Sequence, residues 1–256
     1  MDYIENIVAN SPTFLFVFMR TGSIILLAPV FGTSTVPLRL KLGLVVLLSV
    51  VLFSIVPPVS MPQDLIGLTL GLGAEVAIGA VIGLAARFVF ASFEFAGQVV
   101  GFQMGLGMAN VYDPINSVQI TVLGKLMSIM SMLVFLSING HIMVIAALKK
   151  SFAVIPPYGF QFSGTLMEQI LYMSKDVFVI GAKIATPVMG TLLLVNIGLG
   201  IGAKAVPALN MFVIGFAIAI MVGFMVIGLS IEFYQSAMVN AFQGMWWKIF
   251  KMLEVM

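Results

Sequence analysis

Charged side chains interrupt several long apolar runs of this sequence, and they are the residues best suited to chemistry. They are Arg20, Glu75, Glu94, Lys125, Lys183 and Glu232. A charge in hydrocarbon costs several kcal/mol, so each of these side chains must be paired, protonated or in contact with water. In a transporter such residues form a proton or ion relay, whereas in an assembly they form salt bridges between subunits. No two of the acids are close in sequence, so the pattern leaves both functions open.

Catalytic and ligand-binding motifs are missing from the sequence. There is no cysteine, so thiol chemistry and thiolate metal sites are excluded. The single histidine, His141, lies in an uncharged run without a neighbouring acid or second histidine, which favours a packed, hydrogen-bonded side chain. The glycines at 198–202 follow no predicted strand and lack the Gly-Lys-Ser/Thr ending of a phosphate-binding loop. We therefore expect no catalytic residue, no cofactor and no metal, and a protein that is not an enzyme.

Glycines recur at four-residue intervals along three of the apolar runs. Residues four apart lie on one face of a helix, and a glycine face lets a second backbone approach closely. The rows comprise Gly67, Gly71, Gly79 and Gly83, with Glu75 at the missing position, then Gly97, Gly101 and Gly105, and then Gly198 and Gly202. They indicate tight packing, either within the chain or in grooves for neighbouring subunits. In the second case Glu75 faces a cation, and we expect Glu75→Gln to be milder than Gly71→Leu or Gly79→Leu.

The stretch from Gly101 to Pro114 is the most unusual part of the chain. Three glycines and a proline punctuate it, and Asp113 with Pro114 indicates a turn. Irregular backbone at membrane depth survives only when it is buried in protein or lines a water-filled cavity. The stretch is therefore either an ordinary turn between helices or a re-entrant loop that plugs a conduit, with Met104 and Met108 as adaptable bulk. The candidate plug residues are Phe102, Gln103, Met104, Gly105, Leu106, Gly107, Met108, Asn110, Asp113 and Pro114.

The composition excludes most soluble proteins. The 256 residues are 61% hydrophobic and only 9% charged, with a mean hydropathy of +1.16, whereas a typical soluble domain is about 45–50% apolar and about 25% charged. Soluble cytosolic enzymes, disordered regulators and coiled coils are thereby ruled out. The net charge is +2 and the longest basic run is Lys149-Lys150, which argues against a nucleic-acid surface. What remains is a polytopic membrane protein, or a subunit whose apolar surface other subunits cover.

Continuous apolar runs, rather than alternating patterns, predict an all-α chain that forms one helical domain over residues 1–256. The predicted helical segments are 12–31, 42–56, 65–86, 88–108, 118–148, 177–203 and 208–234. Arg87 separates the third segment from the fourth, and the count gives six or seven membrane crossings. Aromatic and basic residues around Trp247 indicate an anchor at the membrane surface. The acidic N-terminus is atypical of a cleaved signal peptide, so we expect the first segment to be retained.

A set of short segments is spread in order over most of the chain. They are Arg20, Pro29-Val30-Phe31-Gly32, Pro37-Leu38-Arg39-Leu40-Lys41, 97–107, Asp113-Pro114, 187–194, Gly198-Leu199-Gly200-Ile201, Pro207 and Asn210-Met211-Phe212. Taken together, these segments resemble the FliR family, the export-gate subunits of the bacterial flagellar type III secretion apparatus and of related injectisomes. Lys204 stands where the family pattern favours arginine. In this family much of the apolar sequence lies above the bilayer, so apolar runs need not be literal crossings.

The resemblance implies helical hairpins that assemble into a multi-subunit, superhelical export gate in the bacterial inner membrane, at the flagellar basal body. One copy of the chain would join several FliP-like and FliQ-like subunits, and an FlhB-like export-switch protein would dock on them. Unfolded export substrates and membrane lipid are further expected partners, and nucleic acid is not. The expected subunit-packing residues are Arg20, Gly71, Glu75, Gly79, Gly97, Gly101 and Lys204. The alternative function is a proton-coupled secondary transporter with titrating carboxylates at Glu75 or Glu94.

Overall fold

The computed structural model describes residues 7, 10–33, 35–59, 64–107, 121–205 and 211–256. Within these ranges the regular secondary structure is entirely α-helical, which confirms the all-α prediction. Its eight helices are α1 (Ser11–Leu27), α2 (Leu38–Phe53), α3 (Leu65–Gln103), α4 (Val122–Ser137), α5 (Gly140–Val154), α6 (Gly164–Ala205), α7 (Met211–Leu229) and α8 (Ile231–Leu253).

Local sequence signals account for several of the helix ends. Pro12 lies in the first turn of α1, where its missing N–H would have no intrahelical partner in any case. The Thr121 hydroxyl caps α4, because it accepts a hydrogen bond from the Gly124 N–H at 3.0 Å. Asn139 adopts a left-handed backbone conformation with a φ of 58°, and α4 and α5 meet there at a bend of 68°. The predicted segment 118–148 is therefore two helices.

Two helices are longer than the sequence predicts. α3 has 39 residues and contains Arg87, so the prediction that Arg87 separates segments 65–86 and 88–108 is wrong. Arg87 is exposed on the surface of α3, and arginine favours helix, so nothing at this position ends the helix. α6 has 42 residues, begins at Gly164 rather than at residue 177, and contains Pro187 within its length.

Fewer helices than predicted have the length and composition of a membrane crossing. Among the described residues, Leu65–Gln103 and Gly164–Lys204 qualify on their own, and the bent pairs α4–α5 and α7–α8 raise the number to four if each pair is one crossing. Some of the predicted crossings form short helices, such as the 17-residue α1. A crossing needs about 20 apolar residues, which α1 does not reach. The long apolar helices identify a membrane protein.

The first of two compact units is built mainly from α1, α2, the first part of α3, and α5. It comprises Met1–Phe88, Asn139–Met173 and Gln243–Met256. Phe16 of α1 and Ile78 of α3 are fully buried in its core. The end of the chain is fixed in this unit, because the Gln161 N–H donates to the Met256 carbonyl at 2.7 Å.

The second compact unit comprises Val89–Ile138 and Ser174–Phe242. Its core contains a cluster of aromatic rings from three helices. Phe90, Phe135 and Phe242 contact one another, with ring centroids 5.1 to 5.3 Å apart. Tilted and edge-on arrangements of this kind add to the free energy of simple burial. The expectation of one helical domain over 1–256 stays a prediction.

Candidate functional site

The first candidate site is an ion pair between Arg20 of α1 and Glu75 of α3, in the core of the first unit. Arg20 Nε donates to Glu75 Oε2 at 2.5 Å, and Nη2 donates to Oε1 at 3.0 Å. Neither side chain has any exposed surface. A two-pronged arginine–carboxylate contact is the strong form of this interaction. The cation that the sequence predicts opposite Glu75 is thus found within the same chain.

Arg20 also binds the C-terminal end of α5. Its Nη1 donates to the Ile155 carbonyl at 2.9 Å and to Ser151 Oγ at 3.4 Å. The guanidinium carbon lies 4.2 Å from the centroid of the Phe152 ring, a cation–π contact. Three helices are therefore joined around one buried charge pair. Because the Glu75 carboxylate is bound by Arg20 and sealed from water, it acts as an anchor between helices.

Gly71 and Gly79 flank Glu75 on α3 and face other parts of the first unit. A Cβ atom added at Gly79 would lie 2.7 Å from the Arg20 carbonyl oxygen, and one added at Gly71 would collide with the ring of Tyr158. Other parts of the same chain therefore fill the space over these two glycines. This is the first packing alternative, tight packing within the chain. A role of these residues in contacts between subunits stays a prediction.

Tyr158 belongs to this site although no sequence pattern predicts it. Its φ of 66° is in the left-handed region, which tyrosine seldom adopts. The Tyr158 ring lies 4.7 Å from the ring of Phe16, centroid to centroid. Burial, with a smaller effect from the carboxylates of Asp64 and Glu75, raises the pKa of the Tyr158 phenol above its ordinary value. No local pattern marks this tyrosine, because its partners are distant in sequence.

The second candidate site is the turn at the end of α3, in the second unit. We call residues 103–107 the glycine turn. The Gly105 N–H donates to the Phe102 carbonyl at 3.0 Å, and the Leu106 N–H donates to the Gly101 carbonyl at 2.9 Å. Gly105 has a φ of 81°. This pair of hydrogen bonds around a left-handed glycine is a Schellman helix cap, so the start of the predicted plug is a well-defined helix end.

The glycine turn is packed against two other helices of the second unit. Gln103 Nε2 donates to the Met189 carbonyl of α6 at 3.3 Å. Met104 is fully buried, and a Cβ atom added at Gly223 of α7 would lie 2.7 Å from its sulfur. A Cβ atom added at Gly105 would in turn collide with the ring of Phe216 on α7. The turn and α7 thus each place a large side chain over a glycine of the other.

Two further predicted glycines bring the end of α3 against the start of α4. A Cβ atom added at Gly97 would lie 2.6 Å from the Leu123 carbonyl oxygen, and one added at Gly101 would lie 2.9 Å from Thr121 Oγ1. Thr121 Oγ1 also donates to the Gly97 carbonyl at 3.4 Å. The last turns of α3 and the first turn of α4 are therefore in direct contact.

The remaining predicted site residues are not drawn together by the described structure. Met108, Asn110, Asp113 and Pro114 lie outside the described residues. Phe102 is 57% exposed, Leu106 is half-buried, and Lys204 is exposed at the end of α6. Their assignments to a plug or to subunit contacts stay predictions.

Three residues that hold the glycine turn are not predicted from the sequence, namely Met189, Phe216 and Gly223. Met189 contributes a backbone carbonyl, which no side-chain pattern reveals. Gly223 lies inside the uniformly apolar α7, where a glycine gives no sign of which residue packs on it. Across the described ranges, no group of three or more His, Asp or Glu side chains is placed to hold a metal ion.

Comparison with known proteins gives the chain its family. The sequence model of the family described as "Bacterial export proteins, family 1" matches residues 11–245, which include both candidate sites. The chain belongs to this family. The resemblance predicted from short segments of the sequence is thereby confirmed.

Individual members of the family match over most of their length. A flagellar biosynthetic protein FliR from Bacillus subtilis (strain 168) is 32% identical over 234 residues, 88% of each chain. The FliR protein of Pectobacterium carotovorum subsp. carotovorum is 31% identical over 84% of this chain and 83% of its own. That of Escherichia coli (strain K12) is 31% identical over 80% and 78%. The chain is therefore a bacterial export component of the same class as these proteins.

Proposed function

We propose that the chain is a non-enzymatic core subunit of the flagellar type III protein export gate. In this proposal it forms, with FliP-like and FliQ-like subunits, a conduit through which unfolded flagellar proteins cross the bacterial inner membrane. The glycine turn and the loop that follows it close the conduit at rest. The observation that carries the proposal is the glycine turn itself, in a chain of the bacterial export family.

The glycine turn has the properties that a closing element requires. It is a short, capped helix end whose Met104 is fully buried among apolar helices. A conduit wide enough for an unfolded chain would leak ions unless an element filled it, and apolar constrictions block water and ions by dewetting. Gly105, with a φ of 81°, lets the backbone change direction at the end of α3.

Exposed apolar surface supports the proposed partners. On the second half of α6, Leu193, Leu194, Ile197 and Ile201 are 57%, 69%, 53% and 68% exposed. Contiguous apolar faces of this kind are normally covered by other proteins or by lipid. FliP-like and FliQ-like subunits, an FlhB-like export-switch protein and membrane lipid are the partners that the family resemblance implies. The same resemblance supports a location in the flagellar basal body.

The environment of Glu75 weighs against the alternative, a proton-coupled transporter. A relay carboxylate must exchange its proton with water or with a neighbouring acid. Glu75 is instead fully buried and bound at both oxygens by Arg20. Since the sequence also has no nucleotide-binding motif, the energy for export comes from other components in this proposal.

Deletion of residues 105–110 tests the proposal in cells. We expect the variant complex to assemble, because α3 and α4 still meet at Gly97 and Gly101, and to admit small solutes that the wild-type complex excludes. The readouts are uptake of a membrane-impermeant dye and co-purification of all subunits. Val122→Ala is the matched control, since Val122 is 73% exposed beside the loop. Unchanged uptake by an intact deleted complex would reduce the loop to a structural turn.

A further inference from the structure

Helix α7 presents one face to the glycine turn. Phe216 and Gly223 are separated by about two helical turns, so they lie on the same side of α7. Phe216 sits over Gly105, and Gly223 receives Met104. Ala219, between them on this side, is 5% exposed. The face therefore combines one large side chain with two small residues, opposite a turn that has one large residue and one glycine.

The two contacts interlock in opposite directions. At the first contact, Phe216 of α7 packs over Gly105 of the turn. At the second contact, Met104 of the turn packs over Gly223 of α7. Met104 Cγ lies 2.9 Å from the position that a Cβ atom would take at Gly223. If the turn slid along α7 or rotated against it, either Phe216 or Met104 would clash with the backbone of the opposite segment. The pair of contacts therefore fixes the position of the turn.

The glycine turn also has a polar contact, which is with α6 and is weak. Gln103 Nε2 donates to the Met189 carbonyl at the long distance of 3.3 Å. Gln103 Oε1 is buried and has no hydrogen-bond partner among the described residues. An unpaired buried acceptor lowers the stability of the arrangement that buries it. The turn is consequently held by shape and apolar contact rather than by charge, and its displacement into water would hydrate the Gln103 amide.

We propose that α7 is the latch of the export gate, with Phe216 and Gly223 as the residues that position the glycine turn in its closed state. This inference rests on the proposed function, because it assigns how the same turn is held and released. Opening for a passing substrate requires Met104 to leave Gly223 and the backbone at Gly105 to leave Phe216.

A disulfide between positions 104 and 223 tests the latch in the assembled complex. The chain has no cysteine, so Met104→Cys with Gly223→Cys gives the only thiol pair of this subunit. In a disulfide the Cβ of one residue lies roughly 3 Å from the sulfur of the other, and Met104 Cγ, where that sulfur would be, is 2.9 Å from the ideal Cβ at Gly223. Diamide takes two electrons and two protons from the thiols and joins the sulfurs, and dithiothreitol reverses the reaction.

We expect the pair to oxidise readily in resting complexes, as measured by loss of both thiols to a maleimide reagent. Oxidation should lower secretion of an export substrate at least tenfold, and reduction should restore it. Met104→Cys with Met221→Cys is the matched control, because Met221 is 73% exposed and the pair should keep its thiols. A disulfide that forms without any loss of secretion would overturn the latch. Failure of the pair to oxidise in an intact complex would overturn it as well.

Phe216→Ala supplies a second, independent measurement if the cysteine pair disturbs assembly. Removing the ring over Gly105 should raise dye uptake several-fold in intact complexes, whereas Phe224→Ala, on an exposed position of α7, should not. The deletion of residues 105–110 is run beside it. If that deletion leaks while Phe216→Ala behaves as wild type, the latch role of α7 is wrong, and the closing role of the turn and its loop is supported. If the deletion does not leak, the closing role that the proposed function gives to the turn and its loop fails.

Discussion

Arg20 and Glu75 show how a single buried contact organises the first unit. Both are charged, both are fully buried, and together they bind α1, α3 and the end of α5. Taking two charges out of water is expensive, so such a pair is stable only when each charge is matched. Here the match is complete, since three polar groups and an aromatic ring surround the guanidinium.

Glu75→Gln should therefore be clearly destabilising, although it stays milder than Gly79→Leu, as the sequence predicts. The substitution leaves the Arg20 charge buried without a counter-charge, and breaking one side of a buried pair costs about 3–5 kcal/mol. The measurement is thermal unfolding of the detergent-solubilised complex. Replacing both residues together, Arg20→Met with Glu75→Leu, should cost much less than Glu75→Gln alone. Equal stability of Glu75→Gln and the wild type would show that the charge pair does not hold the helices.

Gly79→Leu should prevent the chain from folding, while Gly73→Leu should be tolerated by the chain. Both glycines lie on α3, but a Cβ atom at Gly79 would lie 2.7 Å from the Arg20 carbonyl and one at Gly73 would meet nothing within 4 Å. Backbone cannot give way as a flexible side chain can, so the clash separates α1 from α3. Pulse-chase of the chain in cells measures the difference. Similar half-lives of the two variants would contradict close packing at Gly79.

At the scale of helices, the sequence predicts what depends on near neighbours and misses what depends on distant ones. Continuous apolar runs predict helices correctly, because the pattern is local. The bend at Asn139, where φ is positive, lies inside the apolar run 118–148 and was missed. The pairing of Arg20 with Glu75, and of Phe216 with Gly105, joins residues on different helices. The glycine spacing predicts tight contacts, but it does not predict which residues pack on each glycine.

Thr121→Ala should loosen the start of α4 and the base of the loop together. The Thr121 hydroxyl caps α4 and lies against Gly101, and loss of an N-cap costs about 1 kcal/mol. Amide hydrogen exchange in the first turn of α4 should accelerate by about five- to tenfold. Thr186→Ala is the control, because the exposed Thr186 hydroxyl donates to its own helix at Ala182. Unaltered exchange in the Thr121 variant would show that the cap does not stabilise this end.

At the scale of the whole molecule, the chain exposes more apolar surface than a protein that is surrounded by water. Besides α6, helix α2 exposes large apolar side chains, including Leu38, Leu40 and Leu47 at 61%, 65% and 61%. We expect the chain expressed without FliP-like and FliQ-like subunits to aggregate or be degraded, and co-expression to give one stable complex. Size-exclusion chromatography in detergent distinguishes these results. A monodisperse, long-lived isolated chain would contradict the proposed assembly.

Electrical recording from purified complexes in planar bilayers tests closure of the conduit most directly. We expect complexes with the wild-type chain to stay electrically silent. Complexes in which residues 105–110 are deleted should carry a steady ionic current, with the same subunit composition by gel and mass. Val122→Ala complexes should be silent like the wild type. Silent bilayers with the intact deleted complex would contradict the claim that the glycine turn and its loop close an export conduit.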